Sequence, residues 1–207
     1  VFSGYSYNEI ISFKELILNN FSEKHFIVFG TNKLDILSGK FYNSMIVVNN
    51  NFDIIKSYNK RKLVPFGEFL PFETMLKKFG LKKITEGHGS YLKGIEDDNL
   101  IIENLNILPL ICYEIIFSGQ LNTSKSNYDF ILNISEDGWF GNSIGPIQHF
   151  SHSIFRSIEE GRDVLRVANN GISAHVNLNG KVLKKLNSTE KGSLEINSVS
   201  RAFPTFF

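Results

Sequence analysis

The sequence predicts an α/β domain whose sheet is covered on at least one face. Three observations carry that expectation. Several apolar, β-branched runs have strand length, two stretches have helical period, and strong turn signals separate them. At 207 residues the chain fits one large domain, and without repeats, low-complexity tracts or linkers we expect a single domain over residues 1–207. A composition of 42% hydrophobic and 21% charged residues belongs to a folded domain rather than a disordered one. The formal charge of +1 gives no reason to expect nucleic acid as a partner.

In chain order, "NEIISFKELILNNFSEK" (8–24) spaces Ile11, Leu16, Leu18 and Phe21 as one face of an amphipathic helix. The runs "HFIVFG" (25–30) and "FYNSMIVV" (41–48) read as strands. So do "NILPLICY" (106–113), "YDFILNIS" (128–135), "DVLRVANN" (163–170) and "ISAHVNL" (172–178). Between the second and third of these, "GPIQHFSHSIFRSIEEGR" (145–162) reads as a helix ending near Gly161. Asn179-Gly180 marks a hairpin before "KVLKKL". No apolar run approaches the roughly 18 residues of a membrane span.

Residues 57–94 break the rhythm, carrying Pro65, Pro71 and five glycines with little strand pattern. Long irregular segments in compact domains tend to be functional. Phe66, Phe69, Leu70, Phe72, Leu76, Phe79 and Leu81 are interleaved there with Lys77, Lys78, Lys82 and Lys83. That composition suits a surface at a lipid interface, and equally a lid over a core.

Cys112 is the one cysteine, so no intrachain disulfide is possible. It closes an apolar run, at the kind of strand end where sites form in open α/β sheets. It reads either as a small core residue or as a nucleophile, and a thiol of ordinary pKa near 8.5 needs a neighbouring cation to react at neutral pH. Lys60 can supply that cation, or can be a solvated lysine within Lys60-Arg61-Lys62. Glu68 and Glu114 sit in apolar neighbourhoods, where a carboxylate is a salt-bridge partner, a cap or a functional group. His88, His149 and His152 lack a metal-ligand pattern, and no metal or other cofactor is expected. "GNSIG" (141–145) lacks the ending of a phosphate-binding loop.

Together these motifs resemble the carbon-nitrogen hydrolase (nitrilase) superfamily, with "YNK" carrying Lys60, "CYE" carrying Cys112 and "RVANNGIS" closing the sheet. More narrowly, "YNKRKLVPFGEFLPFE", "ICYEIIF", "NISEDGWFGNSIGPIQHF" and "SIEEGRDVLRVANNGISA" are similar in order and content to the apolipoprotein N-acyltransferase family. The resemblance implies a nitrilase-type four-layer αββα sandwich. It implies that Cys112 takes an acyl chain from a phospholipid as a thioester and passes it to the amino group of a diacylglyceryl-cysteine apolipoprotein. Lys60 then stabilises the thiolate and the oxyanion. Glu68 and Glu114 are supporting carboxylates, Tyr113, Trp139 and Phe140 shape the pocket wall, and Phe72 and Phe79 meet lipid. The implied setting is the bacterial inner membrane, with the catalytic domain on the periplasmic side.

Two departures accompany the resemblance. The general-base Glu of the family falls at or before Val1, since Glu9 and Glu15 lie on the first predicted helix, where the family has no catalytic residue. This chain alone is therefore expected to be inactive. The family's membrane-spanning helices are also not in the sequence. The rival readings are an amidase-like hydrolase using water as acceptor, and an inactive truncated acyltransferase.

Overall fold

A computed structural model describes residues 5–72, 90–95, 99–121 and 127–204. They fall into two compact units, one within residues 2–96 and the other within residues 97–207.

The first unit opens on α1 (Tyr7–Ile10), a 3₁₀ turn (Ile11–Phe13) and α2 (Lys14–Leu18). The expected helix over 8–24 is thus interrupted and shorter. Ser12 turns its hydroxyl onto the carbonyl of Glu9 at 2.6 Å, competing with the regular ladder. The poor helix formers Asn19 and Asn20 follow α2, and the Asn20 amide caps the carbonyl of Leu16. Strands β1 (Ile27–Asp35), β2 (Lys40–Val48) and β3 (Ile54–Asn59) form an antiparallel sheet in that order. β1 runs five residues beyond its expected end at Gly30, because Thr31 to Asp35 pair with Ser44 to Lys40 despite their polarity. β3 is an addition to the expected elements; its exposed first half hides the strand pattern. Ile10, Phe29, Ile46, Val48 and Phe52 form the core of this unit, with Phe52 stacked between Phe29 and Tyr7.

The second unit holds a six-stranded sheet in the order β4 (Leu100–Ile102), β5 (Leu105–Ile111), β6 (Phe130–Glu136), β7 (Asp163–Asn169), β8 (Ser173–Val176) and β9 (Val182–Leu186). β5, β6 and β7 are parallel; β4, β8 and β9 join antiparallel at either side. β4 is too short to register as a strand in the sequence, while β8 and β9 form the hairpin that Asn179-Gly180 announces. α3 (Gly145–Glu160) connects β6 to β7. It ends where expected, at Gly161, whose φ of 60° is left-handed and whose missing Cβ leaves room for the carbonyl of Phe203.

Register explains what lies beneath α3. One row across the sheet is Leu108, Ile131, Val164 and Val176, which joins Phe150 and Ile154 of the helix in the core. The next row toward the carboxyl edge is Leu110, Asn133, Arg166 and Ala174. Two polar residues therefore sit side by side in the middle of a buried face.

Candidate active site

Three parallel strands end together, with Ile111 opposite Ile134 and Glu136 opposite Asn169. Cys112 is the first residue past β5. It begins a 3₁₀ turn (Cys112–Ile116) and has φ of 49°, left-handed for a residue that carries a Cβ. Such a conformation costs about 1–2 kcal/mol and persists only where neighbours over-determine it. The reward is a sharp strand-to-turn bend that presents the side chain at the sheet's carboxyl edge. Cys112 is partly exposed, which sets aside the core-cysteine reading.

Two contacts hold the bend. The Oε2 of Glu114, a buried carboxylate, accepts the N–H of Ile111 at 2.9 Å, tying the turn to its own strand. On the other side the carbonyl of Cys112 meets Nε2 of His149, on α3, at 3.1 Å. The rest of that imidazole enters a buried polar cluster. Its Nδ1 lies 2.9 Å from Oδ1 of Asp137 and 3.2 Å from Arg166. Arg166 grips both oxygens of Asp137 at 2.7 and 3.0 Å and also bonds Asn133 and the carbonyl of Ile172. Ser135 donates to Asp137 at 2.7 Å, and Asn133 donates to the carbonyl of Leu110. Burial pushes the Asp137 carboxyl upward, but the hydrogen bond with His149, the Arg166 charge and the Ser135 hydroxyl outweigh it and hold the group below its ordinary range.

Tyr113, partly buried, packs edge-on against Phe117 at 5.1 Å. Trp139 and Phe140 lie on a 3₁₀ turn (Gly138–Phe140) just beyond β6, with Trp139 66% exposed. The Phe140 ring approaches that of His149 at 5.5 Å. These aromatics thus gather around the same strand ends as Cys112.

Lys60 and Glu68 form a second constellation, in the first unit. Lys60 is the residue after β3 and is buried, which overturns its reading as a solvated surface lysine. Its backbone N–H donates to Asn43 at 2.8 Å and its carbonyl accepts from Gly94 at 2.8 Å. Gly94 has to be glycine, since a Cβ there would stand 2.1 Å from the carbonyl oxygen of Asn59. The ammonium bonds Oε2 of Glu68 at 2.7 Å. Glu68 in turn accepts the Val64 N–H at 2.8 Å and the Asn43 amide at 2.7 Å, in keeping with the salt-bridge reading of this carboxylate. Phe72 lies at the end of the described segment, 80% exposed. Phe79 is outside the described residues.

Sequence reasoning singled out Cys112, Glu114, Lys60 and Glu68, and passed over Asp137, Arg166, Asn133 and Ser135. The available signal was phase: Asn133, Ser135 and Arg166 occupy inward positions of otherwise apolar strands. His149 was weighed only as a metal ligand.

A strand-end cysteine on a strained turn, carried by a mixed α/β sheet, is what the chain presents for comparison with known proteins. The chain belongs to the carbon-nitrogen hydrolase family, whose profile it matches over residues 21–202. It is 36% identical over 167 residues to the apolipoprotein N-acyltransferase of Rhodopseudomonas palustris, covering 80% of this chain and 31% of that protein. To the apolipoprotein N-acyltransferase of Rickettsia prowazekii it is 43% identical over 152 residues, 72% of this chain and 30% of that one. The chain thus spans about three tenths of the length of these curated relatives. Its fold is also that of an amidase from Nesterenkonia sp. AN1, solved as a mutant showing covalent addition of the acetamide moiety of fluoroacetamide at the active site cysteine. That likeness has a TM-score of 0.58 at 14% identity and covers 88% of this chain and 65% of the amidase. The nitrilase-type fold expected from the sequence is therefore the fold of the chain.

Proposed function

We propose that this chain is catalytic sequence of an apolipoprotein N-acyltransferase, with Cys112 as nucleophile. The observation that supports the role of Cys112 is its left-handed backbone at the carboxyl end of β5, a strained conformation of the kind that clusters at functional sites. The Nesterenkonia amidase, modified at its own active site cysteine, fits the same reading.

The reaction has two halves. The Cys112 thiolate attacks the ester carbonyl of a phospholipid acyl chain, the tetrahedral intermediate collapses, and the lysophospholipid leaves as an alcohol while the acyl group stays as a thioester. The amino group of a diacylglyceryl-cysteine apolipoprotein then attacks the thioester, forming an amide and returning the thiol. Lys60 supplies fixed positive charge for the thiolate and the oxyanion, and Glu68 orients it. Glu114 holds the turn that presents Cys112. Tyr113, Trp139 and Phe140 border the acyl site, and Phe72 and Phe79 extend it to lipid. A general base accepts the proton of the thiol in the first half and of the amine in the second. The parent protein acts at the bacterial inner membrane with this part on the periplasmic side. Among the described residues no helix is long and apolar enough to cross a membrane.

Intact mass measurement tests the proposal. Given phospholipid, a protein carrying this chain is expected to gain one acyl mass, absent from Cys112→Ala. Adding a diacylglyceryl-cysteine peptide should discharge the adduct to an amide. Discharge to free fatty acid by water, with no amide formed, would favour the amidase-like hydrolase instead. An adduct that persists in Cys112→Ala would remove the cysteine from its role.

A further inference from the structure

Nothing in the proposed chemistry uses His149, yet its imidazole touches the backbone of the proposed nucleophile and sits in the most elaborate polar cluster of the sheet. A backbone carbonyl only accepts hydrogen bonds, so the 3.1 Å contact with Cys112 is a hydrogen bond when Nε2 carries the hydrogen. Both arrangements at Nδ1 are compatible with that. With a second hydrogen there, the ring donates to Asp137 at 2.9 Å; without one, it accepts from Arg166 at 3.2 Å. Either way the Nε2–H points at Cys112.

The ring is not free to turn. Asp137 and Arg166 fix its far side, Ser135 and Asn133 fix those two, and all of these side chains are buried. A residue whose only task was to fill the space under α3 would be apolar, as Phe150 beside it is, because an apolar replacement for a buried ionic cluster is often neutral or stabilising. The cluster instead spends five polar side chains to direct one N–H at one carbonyl. That carbonyl belongs to the residue whose φ is left-handed.

We propose that His149 is a positioning residue: its Nε2–H, aimed by Asp137 and Arg166, locks the Cys112 peptide in the bent conformation that presents the thiol. The proposal rests on Cys112 being the nucleophile. Glu114 fixes the amide before the bend and His149 the carbonyl after it, so the strained residue is clamped on both sides.

Two measurements on the chain test this. In the unmodified protein, nitrogen-15 NMR of the histidine side chains is expected to show His149 with hydrogen on Nε2; a ring protonated only at Nδ1 would overturn the proposal without any substitution. The second compares His149→Gln, whose amide reaches the place of Nε2, with His149→Asn, whose amide reaches only that of Nδ1. Iodoacetamide modification of Cys112 should stay near the parent rate in His149→Gln and fall about tenfold or more in His149→Asn, since small misplacements of a reacting group carry large rate penalties. A purely structural role predicts rates that follow the melting temperature regardless of which amide is present, and that outcome, like equal rates in the two variants, rejects the proposal. Should the parent Cys112 react no faster than in urea-unfolded chain, the nucleophile assignment itself fails, which is a different result from reactive Cys112 indifferent to residue 149.

Discussion

The ammonium of Lys60 lies 2.7 Å from Oε2 of Glu68, eight residues along the chain, with the lysine side chain 1% exposed. A buried pair of this kind is expensive to break, because the surviving partner keeps its charge without compensation, typically at 3–5 kcal/mol. Lys60→Met should accordingly lower stability by about 3 kcal/mol, the lower end because Glu68 retains the Val64 and Asn43 donors. It should also slow Cys112 alkylation at neutral pH, whereas Lys62→Met should not. Adding Glu68→Gln to Lys60→Met is expected to restore much of the stability in denaturant titration and none of the reactivity. Recovery of both would reduce Lys60 to a structural residue.

Gly94 offers a subtler probe of the same cradle. An alanine there would drive its Cβ into the Asn59 carbonyl, next to Lys60, and the backbone must move to admit it. Gly94→Ala is expected to cost about 1–3 kcal/mol, as overpacking does, and to slow alkylation of Cys112 although it removes no functional group. A change in stability with an unchanged alkylation rate would mean that the position of Lys60 does not matter to the thiol.

At Cys112 the usual order of substitutions should invert. Glycine normally weakens a chain relative to alanine, but at φ of 49° it escapes the penalty that alanine pays. Cys112→Gly should therefore be more stable than Cys112→Ala by about 1 kcal/mol, read from chemical denaturation, and neither should form an acyl adduct. The opposite order would show that the left-handed backbone is not a feature of the folded protein.

Asp137 gives the fold an acid-sensitive element. Its folded pKa lies below the ordinary 3.8, so the native state binds the proton less readily than the unfolded chain does. Its stabilising contribution is complete above about pH 5, declines as pH falls through 3.8, and is exhausted once the pH passes below the depressed folded value. Asp137→Asn should flatten that acid limb in melting temperatures taken from pH 6 downward, while lowering stability at neutral pH because Arg166 is left buried without its carboxylate. A limb as steep in Asp137→Asn as in the parent would assign the acid sensitivity elsewhere.

The lipid reading makes a separate demand on Phe72, 80% exposed. Phe72→Ser should weaken use of a long-chain phospholipid more than use of a short soluble acyl ester, since only the former buries apolar surface worth roughly 25 cal/mol per Å². Equal losses on both substrates, measured as kcat/KM, would speak for a structural ring.

What the sequence disclosed and what it withheld divide along physical lines. β5, β6, β7 and α3 were legible because each is decided by a local pattern: an unbroken apolar run, or helical period closed by Gly161. The second half of β1 was not, since Thr31 to Asp35 become a strand only by pairing with β2, a partner that no local propensity announces. The elements of the site behave the same way. Cys112 and Glu114 could be singled out from three adjacent residues, whereas Lys60 stands out from Arg61 and Lys62 only through the family motif "YNK", and its burial is decided by the fold. The His149 contact with Cys112 spans 37 positions, and no spacing rule reaches that far.

That separation has a bearing on the order in which the bend at Cys112 is completed. The Glu114 contact closes over three residues and can form as fast as a turn does, while the His149 contact waits for β6 and α3 to be laid beside β5. Parallel pairings through a crossover are among the slow events of folding, because loop closure precedes any return from the contacts. During synthesis and early folding the cysteine therefore has half of its clamp and a relaxed backbone, so its chemistry matures last. On the proposed assignment of Cys112 as nucleophile, the thiol is in this way kept ordinary through the stage when the chain is open to stray electrophiles.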